Sequence, residues 1–75
     1  MSFGEYYFLQ KEYNKALPNF IRALDYHRQL NDRNQLMRTL IDLAKTYYAL
    51  QNNISALEYA QDALNMAKQT EQNKL

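Results

Sequence analysis

The sequence predicts an all-α fold of antiparallel helix–turn–helix units, with about four helices. Three observations support this prediction. Residues that favour helices are common, and the 75-residue chain has one Gly and one Pro. Apolar side chains recur with the period of amphipathic helices in long segments. The stretches between these segments are about three to five residues long, so consecutive helices should run antiparallel.

Composition and charge limit the kind of protein this is. Hydrophobic residues make up 47% of the chain and charged residues 23%, which is typical of one small globular domain. The net charge is +1 with no basic block, so we expect no nucleic-acid partner. No apolar run reaches the ~20 residues of a membrane span, and no signal peptide is recognisable. We therefore expect a soluble, cytoplasmic protein that does not bind membranes.

The first two predicted helices lie within the first 30 residues of the chain. The first runs from about Ser2 to Leu9 and is only two turns long. The second begins at about Asn14, with Asn14 as the expected N-cap, and places Pro18 in the first turn, where a proline is tolerated. Its apolar stripe consists of Ala16, Phe20, Ala23, His27 and Leu30.

The third and fourth predicted helices follow. Asp32 should cap the third helix, with Gln35 as its partner, and Asn53 should cap the fourth, which runs from Ile54 to about Gln69. The third helix has two neighbouring apolar stripes: Leu36, Leu40, Leu43, Tyr47 and Leu50, then Met37, Ile41, Ala44 and Tyr48. The fourth has a stripe of small residues that would let another helix approach closely: Ala56, Ala60, Ala63 and Ala67.

The chain repeats itself with an offset of 40 residues. Identical residues fall into register, among them Tyr7 with Tyr47, Ala16 with Ala56, Leu17 with Leu57, Ala23 with Ala63, and Leu24 with Leu64. Gly4 also aligns with Ala44, and Phe8 with Tyr48. A period of this length in pairs of helices indicates solenoid-type repeats. The alternative is an ordinary four-helix bundle in which the alanine spacing is a coincidence.

The landmarks of each repeat resemble those of the tetratricopeptide repeat. In the first copy they are Gly4, Tyr7, Tyr13, Ala16, Phe20 and Ala23-Leu24; in the second they are Ala44, Tyr47, Ala56 and Ala63-Leu64. The period exceeds the ~34 residues of the common repeat and is similar to the long-helix variety of bacterial regulators and sensors. The resemblance implies an α-solenoid fragment, with repeat one at about 1–31, repeat two at about 32–71 and a polar tail at 72–75. Because the first helix is short, we expect a fragment of a larger regulator or sensor.

No group of residues suggests an enzyme, a cofactor or a metal site. His27 is the only histidine and lies on the core-side stripe, so we interpret it as a packing residue. The chain has no cysteine, no glycine-rich phosphate loop and no nucleophile elbow. The carboxylates do not pair convincingly on one face.

The resemblance implies that the first helix of each repeat lines a concave groove that binds a protein or peptide. The candidate groove residues are Glu5, Phe8, Arg38, Ile41, Asp42, Lys45 and Tyr48. The competing interpretation is a solvated face. Met1, Glu5 and Asp42 stand where the chaperone-binding type of this family carries Lys and Asn side chains that clamp a C-terminal carboxylate. Since two carboxylates would repel such a ligand, we do not expect that function.

The alternative function is self-association. Repeats share their core with neighbours, and this chain holds fewer than two full repeats. The fourth helix offers apolar side chains with no following helix to cover all of them: Ile54, Leu57, Tyr59 and Met66. We therefore expect a homodimer or a higher oligomer in isolation.

Overall fold

A computed structural model describes the backbone of residues 2–72 and the side chains of residues 2–69. It contains four helices: α1 (Phe3–Leu9), α2 (Tyr13–Gln29), α3 (Arg33–Ala49) and α4 (Asn53–Gln72). The prediction of an all-α fold with four helices is confirmed. Of the predicted polar tail, residue 72 belongs to α4, and residues 73–75 lie outside the described part of the chain.

One turn geometry joins the helices at all three connections. The middle residue of each turn, Lys11, Asn31 or Gln51, has a left-handed backbone with φ of 60°, 54° or 63°. In the second turn, the Asn31 N–H donates to the Arg28 carbonyl at 3.2 Å and the Asp32 N–H donates to the His27 carbonyl at 3.1 Å. These two bonds define a Schellman motif, which satisfies carbonyls at the end of a helix. Since the turns recur every 20 residues, pairs of helices recur every 40.

The residue after each left-handed residue is the N-cap of the next helix. Asp32 Oδ1 accepts from the Gln35 N–H at 3.3 Å, as predicted. The predicted cap of α4 is wrong by one residue, because Asn52 Oδ1 accepts from the Ser55 N–H at 3.3 Å. The predicted cap of α2 is also wrong: Glu12 occupies that position and makes no capping bond with its side chain.

Pro18 lies in the second turn of α2 rather than in the first. The helix begins at Tyr13, so Pro18 leaves the Asn14 carbonyl without its N–H donor. Both Pro18 and Asn14 are exposed, and water can therefore satisfy this carbonyl. Leu30, predicted as the end of the core stripe, is exposed because it occupies the C-cap of α2.

The core lies between helices that follow one another in the chain. The buried cluster consists of Ala16, Phe20 and Leu24 from α2, Leu40 and Leu43 from α3, and Ala63 from α4. Within the described residues, extensive packing joins α1 to α2, α2 to α3, and α3 to α4. A closed four-helix bundle would also pack α1 against α4, so the arrangement is an open stack of helical hairpins, 42 × 25 × 17 Å in extent.

Gly4 of α1 lies directly against the ring of Phe20 of α2. A Cβ atom at Gly4 would lie 2.7 Å from Cδ1 and Cε1 of Phe20, which is closer than atoms can pack. Gly4 is buried, and the Phe20 ring fills the space that the missing side chain leaves. Gly4, the small residue of α1, is therefore packed against an aromatic ring of α2 rather than against alanine side chains.

Within the part of the chain that the structure describes, no helix has the length and apolar character needed to cross a membrane.

Candidate functional site

A cleft opens where α1, α2 and α3 meet. Its floor is formed by Phe20, Ala23 and His27 of α2, and its volume is about 270 Å³. The turn at Asn31 reverses the chain after α2, so that α3 runs back along the other side of this floor. The cleft therefore depends on the packing of repeat one against the first helix of repeat two.

Three charged side chains form the walls of the cleft. Glu5 projects from α1, and Arg38 and Asp42 project from α3, one turn apart. The Glu5 N–H donates to Oγ of Ser2 at 3.2 Å, which fixes the start of α1 beside the cleft. The structure thus brings together three of the seven residues that the sequence placed in the groove.

The electrostatics of the cleft disfavour the ionised form of the Asp42 carboxyl. Burial raises the pKa of Asp42 above its ordinary value of 3.8, and the negative charge of Glu5 raises it further; Lys45 and Arg38 offset only part of this. Neither Glu5 nor Asp42 forms an ion pair within residues 2–69, where the one salt bridge joins Lys15 to Glu12. The cleft therefore holds two like charges without a directly bound cation.

His27, on the floor of the cleft, has one ring nitrogen without a hydrogen bond in the described part of the chain. Its Nδ1 is buried and has no hydrogen-bond partner among the described residues. Such atoms are rare in proteins because desolvation without a partner is costly. The ring is half-buried and packs edge-on against Tyr26, with the centroids 5.7 Å apart. The sequence placed His27 on the core-side stripe, but nothing in the pattern indicated that a nitrogen would remain unpaired.

The other four predicted groove residues lie elsewhere. Phe8 does not line the cleft: it packs against the core and contacts Tyr13 edge-on, with centroids 5.3 Å apart. Ile41 is exposed and also lies outside the cleft. Lys45 and Tyr48 line a second concavity on the far side of α3. The predicted groove is therefore divided between two surfaces, because α3 is apolar over a wide arc.

This second concavity, the α3–α4 groove, is almost entirely apolar and has a volume of about 550 Å³. It is lined by Ala44, Lys45 and Tyr48 of α3 and by Asn53, Ala56, Leu57 and Ala60 of α4. Ala60 lies opposite α3 and is exposed, because no side chain fills the space above it.

The predicted self-association residues are also divided. Leu57 lines the α3–α4 groove, and Ile54 is exposed outside it. Tyr59 stacks on Tyr47 with centroids 5.5 Å apart and planes inclined by 7°, and Met66 is partly buried against the core. Tyr59 and Met66 therefore stabilise the fold of repeat two.

The described residues contain no group of three or more His, Cys, Asp or Glu side chains that could hold a metal ion. The candidate site consists instead of charged side chains, rings and alanines on concave surfaces. Such surfaces suit the recognition of a protein or peptide.

Comparison with protein-family profiles matches residues 1–69 to the tetratricopeptide repeat. No curated protein and no solved structure matches the chain. Members of this family generally mediate protein–protein interactions, and the repeat itself is a non-enzymatic scaffold. The match spans both helical hairpins, and the chain therefore belongs to the tetratricopeptide repeat family.

Proposed function

We propose that the chain is a protein-interaction module that binds an extended segment of a partner in the cleft between α1, α2 and α3. A Lys or Arg side chain of the partner is seated between Glu5 and Asp42. One observation carries this proposal: two carboxylates converge on a partly buried cleft, and neither has an ion pair in the described chain.

A bound cation would offset the unfavourable electrostatics of the cleft. It would replace repulsion between Glu5 and Asp42 with charge-assisted hydrogen bonds to both carboxylates. Arg38 lies beside Asp42 and can donate to the main-chain carbonyls of an extended peptide.

The dimensions of the cleft favour a side chain over a small-molecule ligand. Pockets for drug-sized ligands and cofactors usually measure about 300–1,000 Å³. The cleft, at about 270 Å³, lies below this range. It suits one or two side chains of a segment that continues over the surface.

Selection from a library of random displayed peptides tests the proposal. The purified chain should enrich peptides that contain Lys or Arg within an extended apolar or neutral context. The double variant Glu5→Gln with Asp42→Asn should bind the recovered peptides about 100-fold more weakly, because it removes both acceptors of a partly buried cation.

A matched variant controls for net charge. Glu58→Gln with Asp62→Asn removes two carboxylates from the exposed face of α4, away from the cleft, and should leave the binding unchanged. Peptides that bind the cleft variant and the wild-type chain equally well would contradict the proposal. Enrichment of acidic peptides would contradict it as well.

Self-association is a second candidate function. The observation that favours it is the exposed apolar surface of the α3–α4 groove, where Leu57 of α4 is 67% exposed. It concerns a different face of the molecule from the cleft, so both functions can coexist in one chain.

A further inference from the structure

The α3–α4 groove of repeat two corresponds to a covered surface in repeat one. The 40-residue offset places Ala56 on Ala16 and Ala60 on Phe20. Ala16 and Phe20 are buried in one cluster with Leu43 of α3. In repeat one, therefore, this surface is occupied by the next helix of the chain.

In repeat two the same surface is open. Leu57 is 67% exposed and Tyr48 is 72% exposed, whereas their equivalents in repeat one, Leu17 and Phe8, are partly buried against the core. The groove thus has the shape and apolar lining of a helix-binding surface without a helix in it.

The opposite end of the molecule presents the matching helix face. Under the same offset α1 corresponds to α3, with Phe3 on Leu43 and Tyr6 on Thr46. Leu43 and Thr46 are completely buried, but Phe3 is 74% exposed and Tyr6 is 50% exposed. The chain therefore exposes both halves of an interface that it forms once within itself.

The sizes of the side chains are complementary. The groove has Ala60 where repeat one has Phe20, so the volume that the Phe20 ring fills in repeat one is unfilled in the groove. The face of α1 has Phe3 and Tyr6 where α3 has the smaller Leu43 and Thr46. A helix with larger side chains in a groove with smaller ones conserves the total volume of the interface, which is the exchange that packed interfaces tolerate best.

The charges are also compatible. Inside the chain, Glu5 of α1 and Asp42 of α3 approach each other and repel. At an interface between copies, Lys45 of the groove takes the position of Glu5, and Ser2 of the docking α1 takes the position of Asp42. The repulsion present in the internal interface is therefore absent from the external one.

We propose that α1 of one copy docks into the α3–α4 groove of a second copy, head to tail, in the manner in which α3 packs on repeat one through α2. This inference rests on the second candidate function, self-association, and is independent of peptide binding in the cleft. Because the two surfaces differ, the contact is heterologous and leaves one free surface at each end. The oligomers therefore lengthen as the concentration rises, rather than stopping at a dimer.

Two variants, each altered on one side of the contact, test this proposal. Ala60→Glu blocks the groove, and Phe3→Glu blocks the α1 face; both positions are exposed, so the monomer should fold normally. Each variant alone should associate about 100-fold more weakly than the wild type, because the contact would bury an unpaired carboxylate. Light scattering after size exclusion should give the monomer mass of 9.0 kDa for each.

Mixing the two variants in equal amounts gives the decisive result. The Ala60→Glu copy retains its α1 face and the Phe3→Glu copy retains its groove, so the mixture should form dimers and stop there. Ile54→Glu serves as the control, since Ile54 is 76% exposed on α4 and lies outside the groove. This control should assemble as the wild type does. The chains carry no N-terminal tag, because α1 forms half of the contact.

Two results would overturn the proposal, and they can be told apart. If the wild type associates but the mixed variants stay monomeric, head-to-tail docking is wrong and self-association uses another surface. If the wild type keeps a mass of 9.0 kDa at every concentration, both the docking and the second candidate function fail. Neither result bears on the cleft.

Discussion

At the scale of single residues, the two repeats differ at one pair of equivalent positions, Gly4 and Phe20 in repeat one and Ala44 and Ala60 in repeat two. In repeat one, Gly4 accommodates the ring of Phe20, and the hairpin is closed. In repeat two, Ala44 and Ala60 occupy the equivalent positions, and the hairpin carries an open groove. The aromatic ring that fills the surface of repeat one is thus absent from the α3–α4 groove of repeat two.

Gly4→Ala should destabilise the protein. Alanine favours the helix by about 1 kcal/mol over glycine, but its Cβ would lie 2.7 Å from the Phe20 ring, and overpacking of a core costs about 1–3 kcal/mol. We expect a net loss of about 1 kcal/mol in the free energy of unfolding, measured by urea denaturation. In the background of Phe20→Leu the same change should cost less or stabilise. An equal cost in both backgrounds would show that the ring is not the cause.

At the scale of the elements, the three turns share one geometry without sharing a sequence. None has Gly at the left-handed position, and only the turn at Asn31 has the residue type that tolerates it. Gln51→Gly should therefore raise the free energy of unfolding by about 0.5–1 kcal/mol, since the relief of backbone strain exceeds the entropic cost of glycine.

The matched control is Gln61→Gly, which makes the same change at an exposed position inside α4 and should destabilise by about 1 kcal/mol. Both variants are compared by their urea midpoints. If Gln51→Gly destabilised the protein as much as Gln61→Gly does, the strain assigned to the turn would be absent.

The elements also show how far the sequence determines the prediction. The existence and order of the four helices follow from apolar periodicity, and the Asp32 cap follows from a short side chain three residues before Gln35. The starts of α2 and α4 were misplaced because the turn fixes the cap directly after the left-handed residue. Lys11 and Gln51 give no sign of that conformation.

The candidate site was less predictable than the helices. Glu5, Arg38 and Asp42 could be assigned to one face from their helical positions and the family resemblance. The separation of Lys45 and Tyr48 from them could not, because it depends on how far α3 is rotated between its two neighbours. The unpaired nitrogen of His27 depends in the same way on packing that no periodic pattern encodes.

At the scale of the whole molecule, the open stack of hairpins gives the chain two distinct concave surfaces. The cleft lies between the repeats and is charged, whereas the α3–α4 groove lies at the end of the stack and is apolar. A closed bundle of the same four helices would bury both. The solenoid arrangement therefore leaves both surfaces accessible, with different chemistry on each.

The central claim is that a cation of the partner lies beside Asp42 in the cleft. The most direct measurement is the pKa of the Asp42 carboxyl, followed by carbon NMR with and without a peptide recovered by the selection. In the free chain, burial and Glu5 hold this pKa above 3.8.

A bound Lys or Arg favours the ionised carboxylate, so saturation with peptide should lower the pKa of Asp42, and peptide affinity should fall as the pH drops through it. A pKa that stays raised, or rises further, in the saturated complex would contradict the account.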